Sequence, residues 1–406
     1  MADGRDLGLR SRAEADRVAF NQCGVAEDYR RDRTTWAAFA ALFAFGLLNA
    51  VLGPALPYIR AVEHISYLVG ALHQVAFAIG GGLAGLLAAR QRRVVSRVTV
   101  IAVGVTGAAL AGLAVGYGDT PALTIAGAMV MSLLGTSALI RVWAVLADVH
   151  GARRAVAMSE GEVSVSLAGI LTPLLIGGLT GTTLSWRFAF ALGAGAAGLA
   201  AFSVWRVRMP PPIDSRARTT SSDARSARRR TPPTLIVVFA IVALEFSLSF
   251  WLASYLDDDI GMARVAAVAA VGGLYASNLA GRLLASRLAR RTSPERLLAA
   301  ALGATLLGAP VLLLATDAPV AAVGIAVAGV GIGAMFPLTS ALHVKASSRS
   351  ADSALGQVLA VAAIGQIAGP LTAGAIAQAA GLRAGLIILP ALTVVAAAGL
   401  YLHRTR

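Results

Sequence analysis

The sequence predicts an all-α membrane protein with twelve transmembrane helices arranged as two pseudo-symmetric six-helix bundles. Three observations lead to this prediction. The chain of 406 residues is 57% hydrophobic and only 14% charged, which is too apolar for a soluble protein of this length. Its apolar residues form twelve runs of about 20 residues, the length of a bilayer-spanning helix. The last six runs repeat features of the first six at a period near 200 residues.

The twelve runs define spans 1 to 12, and they divide the chain into two predicted bundles at residues 36–208 and 234–402. The predicted spans are 36–58, 65–89, 97–117, 121–147, 156–180, 186–208, 234–256, 263–289, 296–316, 318–343, 353–379 and 384–402. Residues 1–35 and 403–406 are predicted cytoplasmic tails, and the first of these lacks the apolar core of a signal peptide. Residues 209–233, rich in Arg and Ser and bounded by prolines, form a predicted cytoplasmic linker.

The distribution of positive charge predicts the orientation of the chain. Most arginines lie in the tails, the linker and the loops on one side of the predicted membrane. The other side holds Arg60, Arg187, Arg264 and Arg383. By the positive-inside rule, both termini are predicted to be cytoplasmic in a multi-pass protein of the cytoplasmic (inner) membrane. Because these loops account for the net charge of +14, nucleic-acid binding is not expected.

Composition also limits the chemistry available to the chain. A single cysteine, Cys23, excludes a disulfide within one chain and a multi-cysteine metal site. The stretch GGGLAG at residues 80–85 matches a dinucleotide-binding pattern, but it lies inside an apolar helix, where small residues favour close helix packing. We therefore expect no cofactor, no metal and no enzymatic activity, and a monomer whose partners are lipids, a small molecule and protons.

Two short motifs recur in the two halves of the sequence. Pro173 and Gly177 of span 5 reappear 197 positions later as Pro370 and Gly374 of span 11, where Gly369 precedes the proline. The loops after spans 2 and 8 share a second, arginine-bearing motif. Its matching positions include Gly85, Arg90 and Arg93 after span 2 and Arg291 after span 8, whereas Ala89 and Arg290 stand at its acidic position. Repeats in parallel orientation are typical of one class of transporter.

These motifs and the twelve spans together resemble the major facilitator superfamily of secondary transporters over residues 36–402. The resemblance implies alternating access, in which the two halves rock about a site at the midplane. It also implies that spans 1, 4, 7 and 10 line a central cavity and that spans 5 and 11 carry packing or hinge residues. In the family, the loop acid helps to close the cytoplasmic side, so its replacement by Ala89 and Arg290 predicts a less favoured cytoplasmic closure.

Glu245 is the main candidate for proton coupling. It lies near the centre of span 7, about 16 Å from the predicted start of the helix at 1.5 Å per residue. No arginine or lysine is expected at the same depth, so desolvation favours a protonated carboxyl there. Ser249, one turn along the same face, is a candidate hydrogen-bond partner. Proton carriage, a protonated glutamate bonded between helices, and direct contact with a cationic or hydroxyl-bearing substrate all remain open.

Three more charges are predicted at the inner ends of spans 4 and 5. Arg141 lies level with residues 160 and 162 across the turn between these spans, so Arg141 and Glu160 are the preferred ion pair, either structural or gating. Glu162 projects from the other side of span 5. Glu160, Glu162 and His73 of span 2 are secondary candidates for proton coupling, although a hydrogen bond between helices is the favoured interpretation of His73.

The remaining predicted site residues face the cavity that the resemblance implies. They are Asn49 in span 1, Ser249 and Trp251 in span 7 and Phe336 in span 10. The predicted function is export of a small organic compound in exchange for protons. Two alternatives stay open: uptake or facilitated diffusion of a sugar or carboxylate, and a receptor or scaffold that has kept the fold without transport.

Overall fold

The computed structural model describes residues 30–180, 182–207, 232–289, 291–347 and 351–405, and helices make up almost all of them. Most of the predicted linker and most of the predicted N-terminal tail lie outside these ranges. Spans 1 to 12 correspond to Arg33–Asn49 with Leu52–Glu63, Tyr67–Val94, Arg97–Tyr117, Pro121–His150, Arg154–Thr180, Phe188–Val207, Pro233–Asp258, Arg264–Leu288, Pro294–Leu314, Ala318–Ala346, Ala351–Ala380, and Leu382–Gly385 with Ile388–Arg404.

Eleven of the described spans are long and apolar enough to cross a membrane on length and composition alone. Span 8 is the twelfth, a helix of 25 residues that carries Asn278, Arg282 and Arg287 among its apolar residues. It packs within the second bundle like its counterpart in the first. The predicted twelve-helix membrane fold is therefore confirmed, with one helix more polar than the rest.

Span 1 is broken, although the sequence pattern predicted one continuous helix over 36–58. The first helix ends at Asn49, and a second runs from Leu52 to Glu63. Pro54 explains the interruption, because it has no N–H to donate to the carbonyl of Ala50. At the other end, Asp32 caps the first helix by accepting a hydrogen bond from the Thr35 backbone N–H at 2.7 Å. The span is thus longer than predicted at both ends.

The two bundles repeat the same pattern of helix packing. In the first bundle, span 4 packs against spans 2 and 3, span 1 packs against spans 5 and 6, and span 3 packs against span 6. In the second bundle, span 10 packs against spans 8 and 9, span 7 against spans 11 and 12, and span 9 against span 12. Each pair in one bundle has its counterpart six spans later, as the parallel repeat of the sequence predicted.

The bundles meet through symmetric contacts of span 5 with span 8 and of span 2 with span 11, together with span 1 against span 7. We call the side on which Arg33 and Arg404 lie the terminal face and the other side the opposite face. The seam is tight toward the opposite face, where a Cβ on Gly53 would lie 2.4 Å from the Ser249 carbonyl oxygen. There Asp258 of span 7 accepts hydrogen bonds from Arg60 and Tyr67 of the first bundle, both at 2.9 Å.

The predicted packing residues of spans 5 and 11 lie at close helix contacts. A Cβ on Gly177 would lie 3.0 Å from the carbonyl of Val265 in span 8, and Pro173 packs beside Gly272 of the same span. In span 11, a Cβ on Gly369 would lie 2.3 Å from the Ala243 carbonyl. Small residues at these points let the helix backbones approach each other. Their further role as hinges stays a prediction.

Candidate functional site

A cavity of about 320 Å³ lies between the two bundles. Residues from spans 1, 2, 5, 7, 8, 10 and 11 line it, so both halves of the molecule contribute to its wall. The polar lining residues are Asn49, Gln74, Glu162, Ser166, Glu245, Ser249, Tyr275, Asn278, Arg282 and Gln366, and the aromatic ones include Phe246, Phe250 and Phe336. Apolar and aromatic walls with a few convergent polar groups are typical of small-molecule sites.

The cavity reaches from the terminal face to the middle of the membrane. At 1.5 Å per residue, Arg282 lies about 9 Å and Glu162 about 12 Å from the terminal-face ends of their helices, and Glu245 lies about 18 Å deep. The side chains of Arg282 and Glu162 are 38% and 55% exposed. Because the seam beyond Glu245 is closed by the contacts of Gly53, Tyr67 and Asp258 described above, the cavity opens at the terminal face.

Glu245 occupies the deep end of the cavity, as its depth in span 7 predicted. Its side chain is half-buried, and its neighbours include Ser249 one turn further along the helix and Tyr275 of span 8. The predicted bond from Ser249 to Glu245 is replaced by other contacts. The Ser249 hydroxyl lies 3.5 Å from the Phe246 carbonyl oxygen, a weak bond at most, and interacts with the Tyr275 phenol.

Arg282 is a basic residue near Glu245 that the sequence analysis did not identify, and its place in span 8 lies about 9 Å nearer the terminal face than Glu245 does in span 7. Its guanidinium Nη1 lies 3.7 Å from Oε2 of Glu162 across the seam between the bundles. It also interacts electrostatically with the Glu245 carboxyl. One guanidinium is therefore shared by two carboxylates in a single cavity. Such a cavity is electrically balanced when one of the two acids holds a proton.

Two glycines explain how Arg282 reaches this position. A Cβ on Gly281 of span 8 would lie 2.0 Å from the Val330 carbonyl oxygen, and one on Gly333 of span 10 would lie 2.0 Å from the Asn278 carbonyl oxygen. The two helices therefore touch backbone to backbone. At this contact the Gly333 carbonyl accepts a hydrogen bond from Arg282 Nε at 3.2 Å. The bond holds the stem of the side chain while its other nitrogens face the cavity.

Asn49 and Phe336 line the cavity. Gln74 does so too, and its amide nitrogen is buried with no hydrogen-bond partner among the described residues. A buried donor without a partner costs stability. Asn278 is tied down instead. With its amide nitrogen turned toward the backbone, it donates to the Gly329 carbonyl at 2.8 Å.

The charges at the terminal-face ends of spans 4 and 5 pair differently from the prediction. Glu160 accepts two hydrogen bonds from Arg31, at 2.7 and 2.8 Å, in place of the predicted bond from Arg141. Arg141 is buried and donates to the carbonyl of Ala88 in span 2. The prediction compared only spans 4 and 5 across their connecting turn, whereas Arg31 lies directly before the helix cap of span 1.

Trp251 is not a cavity residue. It is fully buried, and its indole N–H donates to the Pro370 carbonyl at 2.9 Å. Its ring packs edge-on against Tyr67 at 5.8 Å between centroids, and a Cβ on Gly374 would lie 2.8 Å from the same ring. Trp251 lies 6 positions after Glu245, which turns it by roughly 240° to another side of the helix. It therefore seals the seam between the bundles beyond the cavity.

His73 is buried inside the first bundle and lies outside the cavity lining. Its Nε2 is 2.9 Å from the Thr124 hydroxyl of span 4, which agrees with the expected hydrogen bond between helices. Of the loop motif, Gly85 and Arg291 are exposed, whereas the side chains of Arg90 and Arg93 lie outside the described part of the chain.

The sequence contains a pattern that indicates the cavity residues of span 8, which the sequence analysis did not predict. Tyr275, Asn278 and Arg282 follow each other at intervals of three and four residues, the spacing that places side chains on one face of a helix. The loop arginines that follow Arg282 closely along the chain obscure this spacing. A polar stripe along an otherwise apolar span is the pattern that indicates a cavity-facing side.

Comparison with known proteins gives a family and a fold. The model described as Major Facilitator Superfamily matches residues 38–356, more than half of the chain. A search of curated protein sequences returned no significant match.

Solved structures similar to this chain are themselves transporters. A bacterial homologue of the human lysosomal transporter Spinster, in an inward-facing and occupied conformation, superposes with a TM-score of 0.75 at 17% identity, covering 93% of this chain and 98% of the other. A D-xylose–proton symporter gives a TM-score of 0.76 at 14% identity, covering 91% and 97%. The nucleoside transporter NupG gives 0.71 at 14%, covering 92% and 98%. At these identities the likeness concerns the fold.

Proposed function

Because this chain belongs to the Major Facilitator Superfamily and is a membrane transporter, not an enzyme, we propose that it exports a small organic compound in exchange for protons. The observation that supports this proposal is the cavity itself. Two carboxyls, Glu162 and Glu245, share one guanidinium, Arg282, in a space between the two bundles. Substrate and proton can compete there for the same charged groups, which is what exchange requires.

Glu245 is the proposed proton carrier. It lies deeper than Glu162, and Arg282 is held beside Glu162 at 3.7 Å. Arg282 therefore compensates the charge of Glu245 less than that of Glu162. An uncompensated charge near the middle of the membrane is costly, so protonation stabilises Glu245 more than Glu162. A proton on Glu245 stabilises the cavity when it is closed and dry. Loss of that proton into water, or its displacement by substrate, follows when the cavity opens.

The chemistry of the lining suggests the class of substrate. A volume of about 320 Å³ lies at the lower end of the range of about 300–1,000 Å³ typical of small-molecule sites. Aromatic rings from Phe246, Phe250 and Phe336 offer apolar and cation–π contacts. Glu245 and the free amide nitrogen of Gln74 offer one acceptor and one donor. A compact compound with an apolar body and an amine or hydroxyl group fits this set.

We also propose that the terminal face is cytoplasmic. The arginine-rich linker joins spans 6 and 7 on that face, and the positive-inside rule places such segments inside. In this orientation the cavity described above is open to the cytoplasm, as an exporter awaiting substrate would be. Protons would then enter from the opposite side after the seam between Asp258 and Arg60 opens.

Reconstitution in proteoliposomes tests the proposal. A panel of amines and polyols is first screened for thermal stabilisation of the purified protein, because a ligand that binds the folded state raises its melting temperature. Flux of a stabilising compound is then followed with and without an imposed pH gradient. We expect the wild type to concentrate the compound in exchange for protons. Glu245→Gln should keep exchange of substrate for substrate and lose uphill transport.

Glu295→Gln is the matched control, because Glu295 lies in the first turn of span 9, away from the cavity lining, and the chemical change is the same. Uphill transport with an unchanged pH dependence in Glu245→Gln would reject Glu245 as the proton carrier. Co-directional movement of compound and protons would favour uptake. No flux of any stabilising compound by intact protein would favour a scaffold.

A further inference from the structure

A second polar cluster lies inside the first bundle, apart from the cavity. It consists of Glu63 at the end of span 1, Thr124 in the first turn of span 4, and His73 in span 2. The Thr124 oxygen lies 2.8 Å from Oε1 of Glu63 and 2.9 Å from Nε2 of His73. Thr124 and His73 are fully buried, and Glu63 is half-buried.

These three residues lie at increasing depth from the opposite face. Glu63 ends span 1, Thr124 lies three residues into span 4, and His73 lies six residues into span 2. At 1.5 Å per residue they reach depths of about 0, 5 and 9 Å. Spans 2 and 4 are held together below them at Gly80, where a Cβ would lie 2.1 Å from the Met129 carbonyl. The cluster is therefore a continuous chain of hydrogen-bonding atoms from Glu63, at the opposite-face end of span 1, to a buried imidazole.

The hydrogens available to this chain decide its protonation state. Nδ1 of His73 lies 3.2 Å from the Gly70 carbonyl oxygen. A carbonyl oxygen only accepts, so Nδ1 must carry a hydrogen. If the imidazole is neutral, Nε2 has no hydrogen and must accept one from Thr124. The single hydroxyl hydrogen of Thr124 is then used, and the contact with Glu63 needs a hydrogen on Glu63.

The alternative is an imidazolium. With hydrogens on both nitrogens, His73 donates to Thr124, and Thr124 donates to an ionised Glu63. The Thr120 and Pro121 carbonyls, 3.2 and 3.3 Å from the Thr124 oxygen, are longer competing acceptors. If Thr124 bonded to either of them, both Glu63 and His73 would have to donate to it. In every arrangement that satisfies Nδ1, Glu63 and His73 together hold at least one extra proton.

We propose that Glu63, Thr124 and His73 form a second proton-binding site, in which a proton moves between Glu63 and His73 through the Thr124 hydroxyl. The transfer is balanced: Glu63 gives its proton to the Thr124 oxygen while Thr124 gives its own to Nε2 of His73, and the reverse restores the first state. Glu63 lies at the end of the site nearest the opposite face, whereas the cavity opens at the terminal face.

The other charged side chains near the cluster form ion pairs with residues outside it. Asp119, which interacts with Glu63, is paired with Arg187 at 2.9 Å. Arg60, one turn before Glu63 in span 1, is paired with Asp258 at 2.9 Å, and Tyr67 at the start of span 2 bonds the same carboxyl. The second carboxyl oxygen of Glu63 is buried with no hydrogen-bond partner among the described residues. A protonated carboxyl tolerates that burial better than an ionised one.

Histidine nitrogen NMR tests the site without any transport assay. Protein labelled with ¹⁵N-histidine is placed in lipid nanodiscs, and the His73 signals are identified by their loss in His73→Gln. We expect Nδ1 of His73 to carry a hydrogen throughout pH 5–8, in either the neutral or the cationic ring. Glu63→Gln should lock the ring in the neutral Nδ1–H form, because the amide donates to Thr124 as the protonated acid does.

Two further variants complete the experiment. Thr124→Val, which keeps the shape and removes the hydroxyl, should shift the Nε2 signal. Asp119→Asn removes a nearby charge outside the cluster and should leave the tautomer unchanged. A neutral His73 with its hydrogen on Nε2 would overturn the proposal, and because this readout needs only the wild type, it survives misfolding of a variant. The result is independent of the proposed export activity, so either can fail alone.

Discussion

Arg282 of span 8 lies 3.7 Å from Glu162 of span 5, so the guanidinium joins the two halves of the protein inside the cavity. Both side chains are partly exposed, which screens their attraction. The Glu162 carboxylate is one of two acids that surround this single cation. Arg282 therefore affects the net charge of the cavity more than it stabilises the contact between the two halves.

The first prediction concerns that charge. Arg282→Gln should change the free energy of unfolding by less than about 1 kcal/mol, the usual range for exposed pairs. It should raise the affinity for monovalent organic cations by roughly tenfold, because two acids then face the ligand with no competing base. Thermal denaturation without ligand measures the change in stability. Thermal stabilisation by a series of quaternary ammonium compounds measures the change in affinity.

Arg141→Gln is the matched control for this change. Arg141 is buried and donates to a backbone carbonyl, so the same substitution there should cost several times more stability and leave cation binding unchanged. Equal losses of melting temperature in the two variants would show that Arg282 is mainly structural.

The second prediction separates the two possible partners of Glu160. Arg31→Ala and Glu160→Gln should be non-additive by about 0.5–1 kcal/mol, since Glu160 accepts two hydrogen bonds from Arg31. Arg141→Ala and Glu160→Gln should be additive, because their described contacts go to different groups. Thermal denaturation of the three single and two double variants checks this. Non-additivity of Arg141→Ala with Glu160→Gln, and additivity of Arg31→Ala with Glu160→Gln, would instead support the pair of Arg141 and Glu160 that the sequence predicted.

Depth along one helix could be predicted from the sequence, whereas contacts between helices could not. Glu245 was placed near the middle of the membrane by counting residues within span 7, whereas Asn49 and Phe336 were assigned to the cavity by the family resemblance. Pairing of Glu162 with Arg282 depends on how spans 5 and 8 rotate and cross, and there Gly177 and Gly272 lie at close contacts with the backbone of the other helix. No periodicity within a single span contains that information.

The Glu63 cluster was missed for the same reason. Glu63 lay beyond the predicted end of span 1, and Thr124 was an ordinary residue of an apolar helix. Only the packing of spans 1, 2 and 4 brings them to His73. Trp251 is a different case, since its position relative to Glu245 on the helix already indicated that it faces away from the cavity.

The third prediction tests the glycine contacts of span 11. Gly369→Ala should destabilise the protein by about 1–3 kcal/mol, because its Cβ would lie 2.3 Å from the Ala243 carbonyl and the two backbones would have to separate. A Cβ on Gly356 of the same helix would meet no atom of a neighbouring helix within 4 Å among the described residues. Gly356→Ala should therefore be neutral or stabilising by up to about 1 kcal/mol. Similar melting temperatures for the two variants would contradict the close contact.

The last prediction concerns closure of the opposite face. Asp258 binds Arg60 and Tyr67 of the other bundle, so Asp258→Asn should weaken the seam and favour the state open to that face. Loss of about 1 kcal/mol shifts the ratio of the two states roughly fivefold. Asp257→Asn is the control, because Asp257 pairs with Arg264 of its own bundle at 2.6 Å and its loss should not separate the halves.

Labelling of Ser249→Cys by a membrane-impermeant thiol reagent added on the opposite face, in a Cys23→Ser background, measures the shift. We expect faster labelling in Asp258→Asn alone. Equal rates in both variants would mean that the seam is held by the buried contacts of Trp251 and Gly53, with the Asp258 bonds contributing little.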